Sequence, residues 1–332
     1  MIIHITSGCE NTELVRRFRT ALPHAAVRPV PDNDDARQAL FASASHTGKH
    51  HIFITKARGE HFKVCPGTPA PYLCCYYWTL HSATNCPYDC SYCILQYYLN
   101  NPLLTVFANQ DDLMDQIRRR IAQEPRRLFR VGTGELADSL ALDDIAQIAP
   151  ELIRFTAGQT NMLLELKTKS DKVGHLLKIP HRGRTVISWS LNPVERIARH
   201  ELYAADLPAR MRAVRKVQDA GYMTGFHFDP MLLYPGWEEG YEQLVKTLFE
   251  HADAGRIAWI SIGSLRFPPE MAEKIRKKFP ATDLLDNEMI RGRDNKMRYF
   301  KPLRVKMYKH LYACLRKYGG DDLFIYFCME DA

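Results

Sequence analysis

The chain has 332 residues, 46% hydrophobic and 25% charged, with a formal net charge of +7. These values exclude a disordered, collagenous or small disulfide-stapled protein, and they leave room for about two domains. No stretch nears the roughly 18 apolar residues of a membrane span, and residues 1–6 lack the basic and long apolar regions of a secretory signal, so a cytoplasmic protein is expected.

Residues 2–6 and 51–55 are apolar enough for buried strands, and Asn11 caps a predicted helix over 12–22. Pro66, Pro69 and Pro71 mark a connector. From there short apolar runs alternate with helical patterns. Strands are predicted at 77–83, 128–132, 162–166, 185–190, 223–228 and 256–263. The helices fall at 111–123, 143–156, 207–219, 237–251 and 268–279, with Asn109 and Asp206 as N-caps and Gly221 as a stop. Six strands in βα alternation imply a parallel sheet, open or closed. Polar residues collect where strands end: 132–135, 165–169, Ser190 with Asn192, His227 with Asp229, and 263–266. Convergence on one rim favours a barrel, whose chemistry sits at the C-terminal face. A helix at 303–318 and a strand at 323–327 close the chain. The expected fold is α/β: a partial (β/α)6 TIM-type barrel over 71–283, a small N-terminal α/β unit over 1–70, and a C-terminal basic hairpin and helix over 284–332.

Between Arg291 and Lys306 stand seven Lys and Arg against the single acid Asp294. Such a segment is either a solvated basic face or a phosphate-binding surface. Nine cysteines, six of them between Cys65 and Cys93, point to thiols and metal ligands over disulfides. Cys86-Pro87-Tyr88-Asp89-Cys90-Ser91-Tyr92-Cys93 is C-x3-C-x2-C. Three close thiolates suit an iron–sulfur cluster or zinc, and stopping at three leaves a cluster iron open to a chelating molecule. Pro87, Asp89 and Ser91 argue for a loop over three packing cysteines on a helix face.

In this strand context the motif resembles the radical S-adenosylmethionine superfamily. The stretch Cys86-Pro-Tyr-Asp-Cys-Ser-Tyr-Cys-Ile-Leu-Gln96 is similar to the cluster loop of the spore photoproduct lyase family. So are Ile187-Ser-Trp-Ser-Leu-Asn-Pro193, Gly225-Phe-His-Phe-Asp-Pro230, Gly236-Trp-Glu-Glu239, Ala258-Trp-Ile-Ser-Ile-Gly263 and Arg298-Tyr-Phe-Lys-Pro302. The resemblance implies a [4Fe–4S] cluster on Cys86, Cys90 and Cys93, and reductive cleavage of S-adenosylmethionine to a 5′-deoxyadenosyl radical. It implies cofactor contacts from Tyr92, Glu135, Asp138, Lys169 and Ser190. It further implies DNA contacts from Arg298, Tyr299, Lys301 and Arg304. Damaged DNA is the implied substrate, with an electron donor such as a flavodoxin or ferredoxin and a monomer on DNA.

Two positions depart from the family pattern. Its relay cysteine falls within residues 135–138, here Glu-Leu-Ala-Asp, and its relay tyrosine after the third cluster cysteine is Ile94, which has no phenolic O–H. Cys65, Cys74 and Cys75 are packing cysteines, a substitute hydrogen donor or ligands of a second metal. His227 with Asp229 is either a structural pair or a substrate contact. Tyr97 and Tyr98 are candidate radical carriers, and Tyr76, Tyr77 and Trp78 are read as core and rim packing. The competing functions are radical chemistry on RNA, a peptide or a small molecule, and a non-catalytic metal-containing nucleic-acid-binding protein.

Overall fold

The structure is a computed structural model that describes residues 1–44, 47–67, 72–73 and 75–331. Its centre is an eight-stranded sheet with a parallel run of seven strands. These are β1 (Trp78–Leu80), β2 (Phe129–Gly132), β3 (Met162–Thr168), β4 (Thr185–Ser190), β5 (Met223–Met231), β6 (Ile257–Ser264) and β7 (Ile325–Phe327). They lie side by side in chain order, and Phe62–Val64 pairs antiparallel with β1 at the far edge. The predicted strands are thus realised as the curled sheet of a partial barrel.

The two faces of this sheet carry different chemistry. Leu164, Leu166, Ile187, Trp189, Phe226, Phe228, Ile260 and Ile262 are all buried and pack into the main core. The residues between them, Glu165, Ser188 and His227, meet one another across the strands instead. Strand alternation produces both faces from one sequence pattern. The inner face is kept clear by glycine: a Cβ on Gly132 would lie 1.7 Å from the Tyr77 hydroxyl, and one on Gly225 2.4 Å from Ser188 Oγ.

The second sheet joins Ile2–Thr6, Ala26–Val30, His51–Thr55 and Leu104–Phe107 in parallel, with Ala83–Thr84 at one edge. A boundary at residue 70 therefore does not separate the sheets. Leu104–Phe107 returns to the N-terminal unit after the cysteine loop, and Phe62–Val64 belongs to the barrel.

The predicted helices form, with three differences. The first starts at Glu13 behind Thr12, not Asn11. Asn109 sits at an N-cap position, but its side-chain oxygen accepts from Ala57 N–H (2.7 Å) and ties two chain segments together. The helix expected over 143–156 breaks into Asp143–Ala146 and Ile148–Ala157 at Gln147, whose φ is +56°. Asp206 caps as expected, accepting from Ala209 N–H at 2.8 Å.

Candidate active site

The three cysteines lie in the loop after β1. Asn85 turns the chain there with φ +69°. Its side chain accepts from Cys86 N–H (2.9 Å) and donates to the Pro102 carbonyl (2.7 Å). Asp89–Cys90 then pairs antiparallel with Glu201–Leu202. Lys49 and Lys278 both reach the Asp89 carboxylate, which locks the outer side of the loop.

Cys90 is buried, and Cys86 and Cys93 are half-buried. Burial first, then Asp138 and the Cys90 thiol, pushes the Cys86 thiol far up. Burial also raises Cys90, and Cys93 adds to it. Three thiols set this close need a cationic centre to ionise together, so the donor set fits a metal cluster. Among the described residues no three His, Cys, Asp or Glu side chains converge on a single ion. A [4Fe–4S] cluster asks something different, one iron per thiolate.

Tyr92 is buried beneath the loop, and its hydroxyl donates to Glu201. Glu201 also takes Arg210 Nη2 at 2.5 Å and Asn192 Nδ2 at 3.2 Å. Glu201 and Arg210 are fully enclosed. Burial alone would raise the Glu201 carboxyl, but the Arg210 and Lys169 charges hold it below its usual value. Lys169 Nζ stands 5.7 Å from the Tyr92 ring centroid. Tyr92, Cys90 and Lys169 are therefore neighbours.

The other proposed cofactor residues are placed less directly. The Asp138 carboxylate is saturated: it accepts from Leu140 and Ala141 N–H (2.9 Å each), Thr168 Oγ1 (2.6 Å) and Lys169 N–H (2.7 Å). It sits beside Cys86 as a brace between rim loops. Glu135 meets His81 Nε2 at 2.6 Å. Burial would raise Glu135, yet bonds from His81 and Thr79 and the Lys167 charge keep it low. Ser190 is buried, and its carbonyl takes Arg210 Nη1 at 2.8 Å.

Within the curl, Glu165 is the hub. It accepts from Arg130 Nη2 (2.7 Å), Ser188 Oγ (2.7 Å) and Trp259 Nε1 (2.9 Å), and meets His227 Nε2 at 2.7 Å. Asp229 instead takes a two-pronged bond from Arg266, at 2.8 and 3.1 Å. Of the two readings of His227 with Asp229, the structural pair is not made: each side chain hydrogen-bonds a different partner. Arg130 also donates to Tyr326 Oη at 2.8 Å.

Cys75 acts electrostatically on Tyr77, Arg130, Tyr326 and Cys328, so its thiol belongs to this interior. Cys65 acts on Tyr77 as well. Cys74 lies outside the described residues. The sequence reading missed Cys328, whose thiol burial pushes up to about 12 and which receives Arg266 Nη2 at 3.7 Å. A period-2 reading of 325–328 would have put Tyr326 and Cys328 on one face. The Glu201–Arg210 pair was missed too. Arg210 among buried Met211, Ala213 and Val214 was its only signal.

The basic segment is corrected most. Arg298 is buried and bonded to Asp294 (2.5 Å) and the Met329 carbonyl (2.9 Å). Arg304 is buried against Glu330, at 2.6 and 3.0 Å. Tyr299 is fully enclosed, its hydroxyl accepting from Leu233 N–H at 3.1 Å. Of the four expected DNA contacts only Lys301 is exposed, alongside Arg291, Arg293, Lys306 and Lys309. The reason is periodic: Arg304 shares a helical face with buried Met307, Tyr308 and Leu311. Tyr76 is 70% exposed, whereas Trp78 packs between Phe62 and Phe129.

A profile of the spore photoproduct lyase family matches residues 71–316. This chain belongs to that family. It is 29% identical over 205 residues to the spore photoproduct lyase of a Geobacillus strain, covering 61% of this chain and 60% of that one. It is 30% identical over 218 residues to the Bacillus subtilis spore photoproduct lyase, covering 63% and 62%. The matched stretch thus spans less than two thirds of both relatives. A solved mutant spore photoproduct lyase, with bound AdoMet and a dinucleoside spore photoproduct, superposes with a TM-score of 0.84. It shares 22% identity over 98% of both chains, a likeness of fold.

Proposed function

We propose that this protein is a radical S-adenosylmethionine enzyme that repairs a pyrimidine photoproduct in DNA. The observation that carries this reading is the thiol-bearing loop with Tyr92 and Lys169 beside it, in a chain of this family. When bound, a [4Fe–4S] cluster with S-adenosylmethionine supplies one-electron cleavage to a 5′-deoxyadenosyl radical. Cys86, Cys90 and Cys93 would ligate that cluster. Lys169 would meet the carboxylate end of the cofactor, while Glu201 fixes Tyr92 beneath it. Glu135 and Ser190 complete the rim on either side.

Cys75 replaces the family's relay thiol. Its S–H bond breaks homolytically, and the hydrogen atom passes to the carbon radical of the lesion. The thiyl left behind is restored by one electron and one proton from the donor that also feeds the cluster. The proximity of Cys75 to Arg130 and Tyr326 supports this choice. Phosphate contacts would come from the exposed Arg291, Arg293 and Lys301.

The test is turnover of a dinucleoside spore photoproduct by anaerobically reconstituted protein. Conversion to thymidine that is lost in Cys75→Ala and kept in Cys65→Ala is expected. Full conversion by Cys75→Ala would reject the thiol assignment, and no conversion by the unaltered protein would reject the substrate.

A further inference from the structure

The helix Met271–Lys278 turns Met271 and Ile275 inward and exposes Lys274, Arg276, Lys277 and Lys278. The acids on or beside it are Glu270 and Glu273, so its outward face carries four cations against two acids. The contacts that fix this helix run to the cysteine loop. Lys278 pairs with Asp89, between the first two cluster cysteines. Lys274 donates to the Gln96 carbonyl at 3.4 Å and stands 5.4 Å from the Tyr97 ring. Tyr97 donates to Glu270 at 3.3 Å.

Tyr97 and Tyr98 extend this basic surface. They sit in the short helix that follows Cys93, edge to face with centroids 5.6 Å apart, and Tyr98 is 53% exposed. An exposed tyrosine beside a half-buried one, with Lys274 against the second and further cations along the adjoining helix, has the composition of a protein interface: aromatic anchors with charges beside them. The pair also follows Cys93 within a few residues of the chain.

We propose that this surface docks an acidic protein carrying a low-potential one-electron centre. This rests on the radical reading above. The electron passes from the carrier, which is oxidised, to the cysteine-held cluster, which is reduced, with no bond made or broken. The cations steer the carrier through long-range attraction, and the tyrosines give it a contact face. DNA is the weaker occupant, because the acids Glu270 and Glu273 share the patch and Lys278 is spent on Asp89.

The test uses the full chain and Arg276→Glu/Lys277→Glu, two exposed positions outside the cysteine site, with reduced flavodoxin as the probe. Calorimetry at low ionic strength should give a Kd weakened about tenfold or more by the double reversal, with the difference shrinking in high salt. Flavodoxin-driven 5′-deoxyadenosine release should fall in parallel, while dithionite-driven release stays unchanged. Equal flavodoxin affinity in both proteins would overturn the proposal. So would a loss confined to DNA affinity. If the unaltered protein releases nothing with dithionite, the radical reading fails instead, and the binding comparison separates the two failures.

Discussion

Tyr92 separates what a motif reveals from what it hides. The C-x3-C-x2-C spacing located the residue, but its anchor, Glu201, comes from a segment more than a hundred positions away. Nothing local marks Glu201, because its partner Arg210 supplies the reason for its burial. Removing one member of an enclosed ion pair leaves the other charge uncompensated, so Arg210→Met should cost about 3–5 kcal/mol. Urea denaturation checks this, and a loss under about 1 kcal/mol would mean that Glu201 is protonated or rehydrated. Cys90→Ala should abolish stable iron binding on reconstitution, read by iron and sulfide content. The interior thiols were legible only as a cluster in sequence. Cys75 is tied to Arg130 and Tyr326 only by the fold, which brings the three to one point.

Among elements, the six barrel strands were legible because each is a dense apolar run bounded by polar residues. Strand order followed from the βα rhythm. The small strands Ala83–Thr84 and Leu104–Phe107 were not, since their place in the N-terminal sheet depends on a long-range return. The basic segment misled for a related reason. Charge counts ignore which face a residue occupies, and Arg298 and Arg304 face inward. The two kinds of arginine should therefore behave differently. Arg298→Ala should lower stability, by roughly 1–3 kcal/mol for a buried bonded group, and leave the salt dependence of DNA affinity unchanged. Arg293→Ala should leave stability alone and reduce the slope of log affinity against log salt by about 1. Fluorescence anisotropy across a salt series with thermal melts reads both, and a swap of the two phenotypes would contradict the placement.

Across the whole molecule, the buried ionisable groups make stability rise with pH. Burial, then His51 and Arg28, pushes His4 down to about 4, and burial likewise lowers His61, His200 and His227. These imidazoles protonate in the unfolded chain near pH 6.5 but resist it when folded. Their contribution is complete above that pH and drains away as pH falls toward about 4, by at most about 3 kcal/mol for His4. The buried carboxylates Glu201, Glu165 and Asp229, all held low, add to the loss at still lower pH. Urea midpoints should therefore hold above about pH 6.5 and drop from there to pH 5. A flat profile would show that the histidines are hydrated.

The proposed radical chemistry on DNA has to proceed although the relay cysteine and tyrosine positions of the family have changed in this chain. Its most direct measurement is 5′-deoxyadenosine release by reconstituted, reduced protein, with and without ultraviolet-irradiated DNA. Release should rise with irradiated DNA and vanish in Cys86→Ala. Release indifferent to DNA, or none from protein carrying a full cluster, would contradict it.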